Sequence, residues 1–254
     1  MGIIWLASYP KSGNTWLRIF LYYYLFGELR KSDDLASNIP DLHVRSIVKP
    51  SNSGGATLYK THFLWSPQHP HIDQSSGFIY VLRHPKDVLL SNLNYIRLVG
   101  NDTISDAQFA RRFIEQLGVP QWRRLGMGSW PEHAQSWLHN PQMPHLVLRY
   151  EQLRENPKHY FSQAIEFLGM EVDEHRLNRA IFASSLGEVK KFEERERKKG
   201  LHREIFAGSQ EAAQKGFRFI NEGKTGQTLA HIDQRLDGEF DRAFKDSLVE
   251  FGFT

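Results

Sequence analysis

Tyr9-Pro10-Lys11-Ser12-Gly13-Asn14-Thr15-Trp16 is the stretch on which the fold turns. It follows Ile3-Ile4-Trp5-Leu6-Ala7, an apolar run of strand length. It leads into Trp16 to Phe26, whose length and near-continuous apolarity predict a buried helix. The local plan is therefore strand, tight loop, helix. Gly13 lets backbone approach a ligand closely, and a helix starting near Asn14 turns unpaired N–H groups and a positive dipole end toward an anion. Lys11 adds a cation beside them. The lysine precedes the glycine, whereas the nucleoside triphosphatase loop, Gly-x-x-x-x-Gly-Lys-Ser/Thr, places it after the last glycine. On these residues alone, an ordinary strand-to-helix turn punctuated by Pro10 and Gly13 remains an alternative.

A chain of 254 residues can bury one large core, and a single α/β domain over residues 1–254 is expected. The composition, 40% hydrophobic and 24% charged, excludes collagen-like and disordered classes. Without cysteine there is no disulfide framework, zinc–thiolate site or cysteine nucleophile. Met1-Gly2 runs directly into the first strand, so no secretory signal is expected. The apolar run Leu17 to Phe26 contains Arg18 and falls short of the ~20 residues that span a bilayer. A cytoplasmic protein without a membrane span is the expectation. A net charge of +3 favours anionic ligands without arguing for nucleic acid.

The second strand is predicted at Ala56 to His62, with Lys60-Thr61-His62-Phe63 at its end, and a short helix before it at Leu35 to Asn38. His62 closes a strand, the place where ligands of α/β sheets sit, two residues beyond a lysine. His69 and His71 lie beside Pro67 and Pro70 with no third ligand at metal spacing, and are read as an exposed loop. Gly77 to Leu82 is the clearest strand, running into Arg83-His84-Pro85-Lys86-Asp87. Pro85 suits a first helical turn, Asp87 complements its positive end, and Asp87 and Ser91 share a face.

Helices are predicted over Asp106 to Leu117 and Trp130 to Leu138, a strand over His145 to Tyr150, and a helix after Pro157 closed by Gly169. Two helices are expected between Asp173 and Gly200, the second over Ser185 to Lys198. There Glu193, Glu194 and Glu196 interleave with Arg195, Arg197, Lys198 and Lys199 as a solvated face. Residues 200–223 read as irregular, and Ile232 to Phe251 as a closing amphipathic helix.

The first octet resembles the 5′-phosphosulfate loop of the sulfotransferase family, which uses 3′-phosphoadenosine 5′-phosphosulfate (PAPS) and releases 3′-phosphoadenosine 5′-phosphate (PAP). Lys60-Thr61-His62-Phe63 is similar to the family's Lys-Thr-His-Leu, whose histidine is the catalytic base. Arg83-x-x-Lys86-Asp87-Val88-x-x-Ser91 resembles its 3′-phosphate site, and Tyr150-Glu151 with Asn156-Pro157 its adenine-side tyrosine motif. The resemblance is strong over residues 3–168. It implies a mostly parallel central sheet flanked by helices, with a P-loop-like phosphosulfate loop after the first strand. It implies His62 as base, with Lys11 and Lys60 as catalytic cations. Lys11, Ser12, Gly13, Asn14, Thr15, Trp16, Arg83, Ser91, Tyr150 and Gly223 are implied as the cofactor bed, with no metal.

Near the C-terminus the family carries Arg-Lys-Gly-x-x-Gly, and Asn221-Glu222-Gly223-Lys224-Thr225-Gly226 keeps only its glycines. Lys215, Arg218 and Lys224 are candidate replacements for the missing cations. Lys224, Thr228, Leu229 and Asp233 echo the family's dimerisation motif at two of four positions, leaving monomer and homodimer both open. The acceptor is expected to be a small molecule, sulfonated on a hydroxyl or amine. Loops at 27–56, 98–128 and 195–222 and an aromatic set of Phe20, Tyr23, Phe63 and Trp65 are expected around it. A small-molecule kinase using ATP and magnesium, and a non-catalytic nucleotide-binding module, are the alternatives.

Overall fold

β1 (Ile3–Ala7), β2 (Thr57–Thr61), β3 (Ser75–Leu82) and β4 (His145–Arg149) form one sheet in the order β2-β1-β3-β4, every pairing parallel. The computed structural model describes residues 2–44, 57–100, 104–139, 143–201 and 205–253. Ala56, the expected first residue of β2, lies outside the described residues.

A parallel sheet needs both faces covered, and the strands here supply apolar side chains to both. Ile3, Trp5 and Ala7 of β1 and Phe78, Tyr80 and Leu82 of β3 enter one core, while Leu6, Ile79 and Val81 enter the other. Six helices line the second face: α1 (Asn14–Phe26), α2 (Ser32–Asn38), α7 (Tyr150–Glu155), α8 (Pro157–Phe167), α9 (Glu174–Ala183) and α10 (Leu186–Lys198). Four cover the first: α3 (Pro85–Leu98), α4 (Asp106–Glu115), α6 (Trp130–Leu138) and α12 (Leu236–Glu250). The short helices α5 (Pro120–Arg124) and α11 (Gln210–Gln214) complete the set among the described residues. Phe20 stacks on Phe161 with centroids 3.8 Å apart, each fully buried, a burial of about 1.5–3 kcal/mol per ring. None of the described helices is long and apolar enough to cross a membrane.

Several boundaries depart from the sequence reading for local reasons. α2 starts at Ser32, where the Lys31 N–H donates to the Asp34 carboxylate at 3.2 Å. Tyr150 opens α7 instead of ending β4. α12 starts only at Leu236, because the Asp237 carboxylate draws the Leu229 N–H and the Thr228 hydroxyl into a turn. His69 is 3% exposed, packed on Trp5, Trp65 and Trp137, and not part of an exposed loop.

The largest correction concerns α10. Glu193, Glu196 and Arg197 are buried, not solvated: the chain after α10 folds back over Glu193 and Arg197, and the Glu196 carboxylate receives the Ser32 N–H at 2.7 Å. Glu193 receives the N–H groups of Phe219 and Ile220, both at 2.9 Å, and the Arg197 Nε–H at 2.9 Å. Arg197 in turn donates to the Ala207 carbonyl at 3.1 Å. A carboxylate this deep is tolerable only when its lone pairs are filled in this way.

Candidate active site

The parallel register of the sheet brings its four C-terminal ends to one edge, β1 and β2 ending together and β3 and β4 together two residues further on. Ala7 pairs with Thr61 on one side and Tyr80 on the other, and Leu82 pairs with Arg149. The first residues beyond the four strands are therefore Ser8, His62, Arg83 and Tyr150. Strand order reverses between the β1–β2 and β3–β4 halves, and a crevice at such a point is where open α/β sheets bind ligands. A cleft of about 320 Å³ opens there. Lys11, Gly13, Asn14, Thr15, Trp16, Lys60, His62, Arg83, Ser91, Tyr150 and Gly223 all line it; Ser12 does not, being 1% exposed within the loop.

The loop after β1 is a bed for an anion. Lys11 has φ +70° and Gly13 φ +109°, which turn the chain sharply into α1. A Cβ on residue 13 would lie 2.6 Å from Cδ2 of Tyr150, so only glycine fits. The Trp16 and Leu17 N–H groups donate to the Gly13 carbonyl, while the N–H groups of Gly13, Asn14 and Thr15 have no partner among the described residues. The Asn14 side chain faces inward, donating to the Leu6 carbonyl at 2.8 Å and the Ser8 hydroxyl at 3.3 Å. Its side chain braces the loop against β1.

Lys11 is not free to swing. Its Nζ lies 3.7 Å from the centroid of the Phe219 ring and donates to the Phe219 carbonyl at 3.4 Å. Burial pushes its ammonium down to about 7, with Lys60 and Arg83 adding to the fall and Glu193 opposing it. Arg83 is 6% exposed. It donates to the carbonyls of Lys11 at 3.2 Å and Lys224 at 2.8 Å, packs on the Tyr150 ring at 4.2 Å, and keeps a buried Nε without a partner among the described residues.

His62 is held on three sides. Its Nδ1 lies 2.6 Å from the Ser8 carbonyl, which can only accept, so the proton sits on Nδ1 and Nε2 carries the lone pair. Its backbone N–H donates to Nε2 of His43 at 2.8 Å, and its carbonyl receives Nε2–H of buried His133 at 3.0 Å. The Tyr80 hydroxyl fixes that tautomer by donating to His133 Nδ1 at 2.8 Å. Burial, and after it the neighbouring Lys60, hold the His62 imidazole well below its ordinary range. Burial likewise pushes His43 down to about 4 and His133 to about 3, so the trio is neutral at physiological pH. Lys60 is paired with Asp41 at the cleft wall.

The loop after residue 217 closes the cleft from above, although its family-like cations are missing. Tyr150 donates to the Gly223 carbonyl at 3.4 Å, and Asn94 to that of Arg218 at 2.7 Å. Asp87 does more than complement a helix dipole: its carboxylate receives the N–H groups of Gly226 at 3.0 Å and Gln227 at 3.1 Å. Of the candidate replacements, Lys224 lines the cleft but pairs with Glu222. Lys215 pairs with Glu211, and Arg218 donates to the Phe217 carbonyl; neither reaches the lining.

The aromatic wall also differs from expectation. Phe20 and Tyr23 belong to the core beside α1, and Phe63 and Trp65 pack into the opposite core. Tyr95, Trp122 and Phe219 line the cleft instead, with Trp122 Nε1–H fixed on Asn92 at 2.8 Å. Parts of the expected acceptor loops, residues 45–56, 101–103 and 202–204, lie outside the described residues. Asp41, His43 and His133 were not singled out from the sequence, since single polar residues in irregular or helical context carry no spacing signal. The four-position echo of a dimerisation motif is taken up within the chain: Leu229 is fully buried, Thr228 bonds Asp237, and Asp233 pairs with Arg111 and Arg235. Among the described residues no group of three or more histidine or acidic side chains is placed to hold a metal.

The chain is 29% identical to rat sulfotransferase 1A1 over 199 residues, which take in 73% of this chain but just under two thirds, 66%, of the relative. It is 27% identical to bovine sulfotransferase 1E1, with 97% of this chain and 84% of the relative covered. The fold matches a mouse sulfotransferase (7A1) complexed with PAP, with a TM-score of 0.64 at 19% identity over 97% of this chain and 84% of that one. It also matches retinol dehydratase in a complex with retinol and PAP, with a TM-score of 0.66 at 20% identity over 96% and 80%. A family model described as the sulfotransferase domain matches residues 2–252, and the chain belongs to that family.

Proposed function

We propose that residues 1–254 act as one PAPS-dependent sulfotransferase domain that moves a sulfonyl group to a hydroxyl or amine of a small-molecule acceptor. The observation that carries this reading is the convergence of Lys11, His62, Arg83 and Tyr150 on one cleft at the C-terminal edge of the sheet. The bed suits a nucleotide phosphorylated at both ends. Three unpaired N–H groups after Lys11 and a glycine that admits no Cβ meet one phosphate. Arg83, with an unpartnered Nε, and Ser91 on the next helix meet the other. Trp16 and Tyr150 line the cleft where the adenine would lie, with Gly223 beside the Tyr150 hydroxyl.

PAPS supplies the sulfonyl group: the bond from acceptor oxygen or nitrogen to sulfur forms as the bond from sulfur to the phosphate oxygen breaks. His62 Nε2 takes the acceptor's proton, its lone pair left free by the Nδ1–H bond to Ser8. The depressed imidazole keeps that lone pair available through the neutral range. Lys11 stands at the loop where negative charge develops on the leaving phosphate, an interaction stronger in the transition state than before it. Lys60 is assigned to the sulfonyl oxygens. Tyr95, Trp122 and Phe219 form an apolar wall for the acceptor, and a ring-bearing acceptor fits it. A cytoplasmic location and a monomeric or homodimeric state belong to the same proposal.

Calorimetric titration with PAP in chelator, beside ATP with magnesium, tests the reading. PAP is expected to bind without metal and in preference to ATP, and Arg83→Ala to weaken it by roughly tenfold or more, the worth of a lost charge-assisted contact. Preference for ATP with magnesium would overturn it in favour of phosphoryl transfer.

A further inference from the structure

Asp41-Leu42-His43 runs beside Lys60-Thr61-His62 as a parallel extension of the sheet edge. Asp41 bridges Lys60, the Leu42 N–H donates to the Lys60 carbonyl at 3.0 Å, and the Lys60 N–H donates to the Pro40 carbonyl at 2.9 Å. Two residues on, where the pleat returns side chains to the same face, His43 stands beside His62 with ring centroids 5.5 Å apart at 28°. The result is a two-by-two array on one wall of the cleft, carboxylate against ammonium and imidazole against imidazole.

The carboxylate is the informative member. The Lys60 side chain is only 12% exposed. The ionisable groups acting on it are Asp41 and His43 from the edge segment, Arg18 from α1, Lys11 from the loop after β1, and His62 on its own strand. Arg18 is 2% exposed, its Nη2 donating to the Ile39 carbonyl at 2.6 Å and its Nε without a partner among the described residues. Among these groups Asp41 is the single anion, and the histidines are neutral. An ammonium set in a desolvated wall beside a guanidinium and a second ammonium sheds its proton unless a counter-ion holds it. Burial alone would raise the Asp41 carboxyl, but Lys60 and Arg18 hold it well below its usual range, so it is ionised at any working pH.

Resting on the transfer assigned above, we propose that Asp41 is a positioning residue: its carboxylate holds Lys60 as an ammonium at the end of β2, where that ammonium meets the sulfonyl oxygens of the donor. The sulfonyl group is present in PAPS and absent from PAP. The ratio of the two affinities therefore reads Lys60, while the contribution of Lys11 to the shared phosphate cancels.

The test measures PAP and PAPS binding by calorimetry for the wild type, Asp41→Asn, and Asp41→Asn combined with Lys60→Arg, between about pH 6.5 and 8.5. Asp41→Asn is expected to bind PAP as the wild type does. Its PAPS affinity relative to PAP should fall by about tenfold across that range, the effect of roughly one pH unit of lost protonation. The arginine variant, which keeps its charge without a counter-ion, should abolish that pH dependence. A pH-independent wild-type ratio in Asp41→Asn, or a parallel loss of PAP binding, would overturn the proposal. If the wild type itself fails to bind PAP, the functional reading falls. Asp41 is then judged in the free protein by the pH dependence of Lys60 acetylation with acetic anhydride, read by peptide mass spectrometry. A midpoint lowered by about one pH unit in Asp41→Asn supports the counter-ion role, and an unmoved midpoint overturns it.

Discussion

Lys11 is where charge, burial and ligand meet most closely. In the unliganded protein its ammonium is held down to about 7, chiefly by burial, so the charged form is complete below that pH and drains away above it. A phosphate dianion stabilises the charged form, so the complex holds the proton to a higher pH than the free protein. Binding must then take up a proton in the window just above 7, and affinity must fall as pH rises through it. PAP titrations at about pH 8 in buffers of different ionisation enthalpy should report net proton uptake, of about half a proton or more, that Lys11→Met abolishes. Equal uptake in wild type and variant would place the titrating group elsewhere. His62 behaves in the opposite sense to a switch: burial and Lys60 depress it, so it enters the neutral range already unprotonated.

What the sequence disclosed at this scale was what is local. Lys11, Gly13, His62 and Arg83 stand beside a strand that ends or a helix that starts, and spacing alone marks such positions. Asp41 and His43 carry no such mark. Their meaning comes from pairing with residues 19 positions away, through a register that a polar Asp-Leu-His gives no reason to expect. The acceptor wall was missed for a related reason. The near-continuous apolarity of α1 hides which of its rings face the core, and Phe20 turned inward while Tyr95 of α3 turned to the cleft.

Among the elements, α10 and the loop over the cleft behave as one unit. Interleaved charges read as a wet surface because periodicity sees only the helix, not the chain that later folds back across it. Glu193 anchors the start of the loop at Phe219 and Ile220, and Asp87 anchors its end at Gly226 and Gln227. Between them Arg83 and Tyr150 hold the backbone at Lys224 and Gly223. Glu193→Gln would remove one anchor and leave buried Arg197 without its counter-charge. Breaking a buried ion pair at one partner costs about 3–5 kcal/mol. Urea unfolding should therefore show a loss of that order, with weaker PAP binding, because Glu193 also supports the charge on Lys11. Unchanged stability would mean that the Phe219 and Ile220 amides and Arg197 find other partners at no cost.

At the scale of the whole molecule, the mostly parallel sheet was expected from the family resemblance of the strand-end motifs; the strand pattern alone did not give it, since β2 and β3 are joined by residues 62–74 with only a short turn of helix between them. The common edge formed by the strands' C-terminal ends was not legible in the sequence, since that depends on inter-strand register. That edge is what turns four separate sequence signals into one cleft. The account stands on a doubly phosphorylated adenosine lying across it, gripped at both ends, with the sulfur side toward His62. A crystal structure of the PAP complex tests this most directly. The account predicts the 5′-phosphate on the N–H groups of residues 13–15 beside Lys11, the 3′-phosphate on Arg83 and Ser91, and His62 Nε2 facing the 5′ end. A nucleotide bound in the reverse sense, or bound away from the β1–α1 loop, would contradict it.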